Sequence, residues 1–159
     1  LSEIRQLQTS RFGLLEVGTD AVIRFPEGIP AFEDHREWAF VGDDDSPIKW
    51  LQSLSDGDVA LPVCPPELVF PGYRAELEEE DLKLIEATSE EELGIMVVLT
   101  IPGEVSKMTA NLRAPLIFNH VKRLGCQVIL RNEDYAIRHR VFEGPQRVEC
   151  EPSPLREGS

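Results

Sequence analysis

Apolar residues recur at every second position in one short segment after another. In Asp20–Phe25, Ala21, Ile23 and Phe25 fall on one face, and in Glu37–Val41 Trp38 and Phe40 do the same. Ile48, Trp50 and Gln52 share a face with Leu51 opposite, and Leu82-Lys83-Leu84 alternates again. A period of two belongs to extended chain, whereas a helix would repeat every three or four residues. Ile95–Ile101 is instead a continuous apolar run rich in β-branched residues, which predicts a central strand covered on both faces. Gln127–Arg131 and Tyr135–Phe142 flank Asn132-Glu133-Asp134 and predict a hairpin. Its second strand would put Tyr135, Ile137, His139 and Val141 on one face, with Arg138 and Arg140 on the other.

Turn signals separate these runs at short intervals: Gly18-Thr19-Asp20, Gly42 to Pro47, Asp56-Gly57-Asp58, Cys64-Pro65-Pro66 and Pro71-Gly72. Twelve prolines and eleven glycines spaced this way predict many short strands. The expected fold is all-β and mainly antiparallel, a small barrel or sandwich with one or two short helical turns. Candidates for those turns are Glu78–Asp81, Ser89–Leu93 with Ser89 as N-cap, and Asn119–Leu124.

Two stretches carry unusual punctuation. Phe25–Glu33, FPEGIPAFE, has Pro26 and Pro30 with Gly28 between them. Each proline fixes φ and lacks an N–H, and Gly28 reaches φ > 0 without steric cost, so the segment reads as a corner pinned by Phe25, Ile29 and Phe32. Thr109–Asn119, TANLRAPLIFN, places side chains that cap turns (Thr109, Asn111) before Pro115, after which Leu116–Phe118 restarts an apolar strand.

The 159 residues suit one domain, expected over residues 1–142, with a polar Pro/Gly-rich tail over 143–159. No apolar run approaches the length of a membrane span, and LSEIRQLQTS has neither the basic nor the apolar region of a signal peptide. Cytoplasmic localisation is the expectation. Cys64, Cys126 and Cys150 form no CxxC pair, which argues against a disulfide framework or a zinc site; Cys126 reads as buried and Cys150 as exposed. No heptad or long apolar stripe is present, so a monomer is expected.

Sixteen basic residues against 29 acidic ones give a net charge of −13. Such a surface repels nucleic acid and anionic lipid and attracts basic proteins. The acids cluster at Asp43–Asp45, at Glu76 with Glu78, Glu79, Glu80 and Asp81, and at Glu90, Glu91 and Glu92. A solvated face is the plain reading of these runs; a docking surface for a basic partner is the functional one. Catalytic patterns are lacking: His35, His120 and His139 are far apart, and no nucleophile elbow, phosphate-binding loop or calcium loop is found. No cofactor or metal is expected. A lipocalin-like ligand barrel and a histidine-dependent hydrolase are weaker alternatives, since the Val, Ile, Leu and Phe content points to a filled core.

FPEGIPAFE, Trp50-Leu51-Gln52-Ser53, the strand ending Thr100-Ile101-Pro102, TANLRAPLIFN and Gly125–Leu130 occur in this order over about residues 11–142. Together they resemble the flagellar assembly factor family FliW. The sequence departs from the family at Ala31, where glycine is usual; Ala31 is expected either to sit in an ordinary L-residue conformation or to mark a relaxed turn. The resemblance implies a non-enzymatic cytoplasmic regulator. Its partners would be CsrA, a basic RNA-binding repressor of flagellin translation, and flagellin, which compete for it. The runner-up is a flagellin-specific chaperone that does not bind CsrA. Charge clustering nominates Glu78–Asp81 and then Glu90–Glu92 as CsrA contacts, with Asp43–Asp45 third. The motif residues Phe25, Pro26, Gly28, Pro30, Phe32, Asn111, Leu112, Ala114 and Pro115 are expected to be structural.

Overall fold

The computed structural model describes residues 4–42, 45–131 and 134–142. Its strands are β1 (Ile4–Thr9), β2 (Gly13–Gly18), β3 (Ile23–Arg24), β4 (Glu37–Val41), β5 (Lys49–Ser53), β6 (Ala60–Cys64), β7 (Leu93–Thr100), β8 (Thr109–Ala110), β9 (Leu116–Asn119), β10 (Leu124–Gln127) and β11 (His139–Arg140). Among the described residues there is one α-helix, α1 (Glu79–Leu84), between β6 and β7, with a 3-10 turn at Glu90–Glu92 just before β7. Seven strands form a ring in the order β7-β6-β5-β4-β3-β10-β9, and β9 pairs back onto β7 to close it. Every pairing in the ring is antiparallel except β3 with β10. Closure leaves these strands no free edge along their paired length, and the fold is a small barrel.

Alternation decides what fills it. Ile23, Trp38, Leu51, Val63 and Leu116 are buried in one cluster with Phe40, Leu61, Met96 and Val98. The intervening residues Cys64, Val97, Ile117 and Cys126 belong to a second cluster on the outer face. Rings fill the interior: a Cβ on Gly125 would lie 2.7 Å from Phe25 Cζ, and one on Gly94 2.5 Å from Phe118 Cε2. The β1–β2 hairpin forms its own two-stranded sheet and packs Leu7, Leu15 and Val17 against Ala39 and Leu54, outside β4.

Several expectations change. Leu82 and Leu84 lie in α1 rather than in a strand. Two alternating positions are too few to outweigh acids in the first helical turn and a carboxylate cap, here Asp81 Oδ2 accepting the Glu78 N–H at 2.9 Å. The turn expected at Asn119–Leu124 is a single α-turn that makes the tight connection from β9 to β10: Arg123 N–H donates to Asn119 O at 2.8 Å, Asn119 Oδ1 accepts the Val121 and Lys122 N–H groups, and Arg123 ends it at φ +58°. The predicted hairpin after Gln127 does not form. Residues 128–130 run beside 113–115, while residues 136–141 run beside 108–112. Accordingly Tyr135 is buried but Ile137 faces outward. Asp43, Asp44, Asn132, Glu133 and the tail 143–159, including Cys150, lie outside the described residues.

Candidate functional site

The first punctuated stretch folds as two consecutive turns. Gly28 N–H donates to Phe25 O and Phe32 N–H to Ile29 O. Gly28 has φ +71°, and a Cβ there would meet Glu33 O at 2.5 Å. The second turn has Pro30 followed by Ala31 at φ +77°, the signature of a type II turn, which favours glycine at that position. Neither expectation for Ala31 holds, since the turn is kept and the alanine is strained. Phe25 and Phe32 meet the Trp38 ring edge-on, at 6.4 and 6.2 Å between centroids. Trp38 Nε1 donates to His35 O, and His35 Nδ1 lies 2.8 Å from Ser53 Oγ. Pro26 and Pro30 stay exposed.

The second stretch interrupts a strand. Both β8 and β9 pair with β7, but residues 111–115 between them oppose only Val97 and Val98. Asn111 Oδ1 holds the loop by accepting the Arg113 and Ala114 N–H groups at 3.2 and 3.0 Å. Leu112 is fully buried, and its carbonyl accepts the Tyr73 hydroxyl at 2.6 Å. Tyr73 stacks on Tyr135 at 4.6 Å. The loop pushes Arg113 and Ala114 to the surface, where they meet Pro30, Gln127, Ile129 and Ile137 around a groove of about 340 Å³. Two stretches some eighty residues apart thus share one surface feature.

The acids gather elsewhere. The excursion from Pro65 to Glu92, between β6 and β7, carries ten acids (Glu67, Glu76, Glu78–Asp81, Glu86, Glu90–Glu92) against Arg74 and Lys83, a net charge of −8. Glu78, Glu79 and Glu80 are exposed. Glu78 also lies 3.6 Å from Arg131, while Asp81 is engaged in the helix cap. In the second run, Glu92 Oε1 accepts the Thr88 N–H, and this bond chiefly holds its carboxyl below the usual range. His120 Nε2 lies 2.8 Å from Glu91 O and ties the run to the β9–β10 connection. Glu79 and Glu80 are therefore free to meet a partner, whereas Glu78, Asp81 and Glu92 also hold the fold.

The sequence model described as FliW protein matches residues 6–141. The chain belongs to the FliW family. It is 44% identical over 140 residues to a flagellar assembly factor FliW of Thermotoga maritima, covering 87% of this chain and 94% of that protein. A flagellar assembly factor FliW of Thermoanaerobacter pseudethanolicus is 41% identical over 140 residues, covering 87% and 93%. A crystal structure of the flagellar assembly factor FliW superposes with a TM-score of 0.82 at 31% identity, covering 88% of this chain and 99% of that one. The role of this FliW chain lies in flagellar assembly.

His139 packs on Phe70 at 5.6 Å, and no group of metal-ligating side chains occurs among the described residues. Burial pushes Cys64 up to about 11 and Cys126 up to about 12, so both are inert thiols. Among the described residues, no helix is long and apolar enough to cross a membrane. The sequence places Ile129 and Ile137 on the two strands of one hairpin, and the groove arises because each strand takes a different neighbour instead. The available signal was the position of Ile129 between Val128 and Leu130, since the middle of three consecutive strand positions points to the face opposite its neighbours.

Proposed function

We propose that this chain is a non-enzymatic cytoplasmic regulator of flagellar assembly that binds CsrA and flagellin in turn. Free of flagellin, it captures CsrA and lifts repression of flagellin translation; occupied by flagellin, it releases CsrA. The observation that carries this reading is the net charge of −8 on the 65–92 excursion. A basic RNA-binding protein is steered to such a surface, and covering the like charges relieves their mutual repulsion. Neither step needs covalent chemistry or bound nucleic acid, and a monomer suffices.

The test is a double reversal, Glu79→Lys with Glu80→Lys, leaving Glu78 and Asp81, which cap α1, intact. CsrA affinity should fall about tenfold or more, roughly 1.4 kcal/mol. Unchanged affinity in a folded variant would remove the excursion as the contact. A second reading, a flagellin-specific chaperone without CsrA binding, is favoured by the apolar groove, which suits a segment of unfolded chain better than a basic protein.

A further inference from the structure

We infer that the groove around Ile129 takes an extended apolar peptide by strand addition and receives a carboxylate on Arg113. Three observations converge there. The first is an open edge. Val128 N–H donates to Pro115 O at 3.1 Å and Leu130 N–H to Arg113 O at 2.8 Å, so both point to one side. By the alternation of extended chain, the Ile129 N–H and C=O point to the other, and neither has a hydrogen-bond partner among the described residues. β3 covers that side lower down, at Leu124, but leaves after Arg24 into the corner. An unpaired edge of this kind is a template for another strand.

The second observation is apolar exposure. Ile129 is 77% and Ile137 59% exposed, and both line the groove with Pro30 and Ala114. Alternate side chains of an added strand would cover them. The third is charge. Arg113 lines the groove, its Nε donates only weakly to Leu130 O at 3.4 Å, and no acid pairs with it among the described residues. On a chain of net charge −13 this cation selects against a basic ligand and for a strand with Asp, Glu or a terminal carboxylate beside its apolar residues. The occupant thus has the opposite charge preference to that of the acidic excursion. This deepens the flagellin-binding half of the proposed function and does not depend on the CsrA half.

The test selects displayed random ten-residue peptides on the full chain. Binding is then measured to the chain and to Ile129→Asp, Arg113→Glu and the double excursion variant (Glu79→Lys with Glu80→Lys), each checked for folding by circular dichroism. Enriched peptides should combine β-branched or other apolar residues with an acid and shift the Ile129 amide resonance. They should weaken about tenfold or more on Ile129→Asp and on Arg113→Glu, and bind the double excursion variant unchanged. No enrichment, or peptides indifferent to both groove variants, would overturn the inference. So would a chain that is dimeric in solution and becomes monomeric on Ile129→Asp, because the edge would then belong to a second copy. Flagellin binding that survives Ile129→Asp would sink this site and leave the proposed function standing. Peptides that bind while flagellin does not would do the reverse.

Discussion

Ala31 shows what one side chain costs at a fixed backbone position. Its φ of +77° is imposed by the turn that Pro30 begins, and an L-residue there gives up about 1–2 kcal/mol. Ala31→Gly removes that strain but loosens the unfolded chain, so the net gain should be about 1 kcal/mol, a rise of roughly 2–4 °C in Tm by calorimetry. Buried thiols give a second prediction. Burial raises Cys126 from 9.0 to about 12 and Cys64 to about 11, and pushes Tyr73 up as well. A group harder to ionise when folded contributes fully below its unfolded pKa and loses that contribution as pH rises through the folded value. Stability from urea titrations should therefore fall as pH climbs above about 9 from these groups. In a Cys150→Ser background, native protein should also resist thiol reagents at pH 8.

At the scale of elements, β4 and β5 fall where alternation put them, the long β7 where the continuous apolar run did, and both punctuated stretches are corners in the fold. What escaped was partner choice. Residues 128–130 and 136–141 both look like strands, but which neighbour each takes depends on the loop Asn111–Pro115, whose length fixes where Arg113 and Pro115 carbonyls lie. That loop rests on one amide side chain. Asn111→Ala leaves the Arg113 and Ala114 N–H groups without their acceptor and should cost about 1–2 kcal/mol in chemical denaturation. Nothing in the local sequence announces that its exposed residues meet Pro30, because that contact exists only once the barrel closes.

For the molecule as a whole, charge was readable and its placement was only half so. The acid runs were visible as runs, but their collection on a single excursion outside the barrel follows from β6 pairing directly with β7, which forces the 28 residues between Cys64 and Leu93 outward. No acid of the excursion lines the groove, although α1 packs on β10 and Glu78 pairs with Arg131, a contact that at its exposure is worth little energetically. The two surfaces therefore suit partners of different chemistry. Electrostatic capture predicts that CsrA binding weakens steeply with added salt, while peptide binding in the groove changes less.

The most direct measurement is a calorimetric titration of the chain with CsrA from the same organism, at low and high salt, repeated with flagellin already bound. The account predicts salt-sensitive binding that prebound flagellin abolishes. CsrA that fails to bind the chain, or binds equally well with flagellin in place, would contradict it.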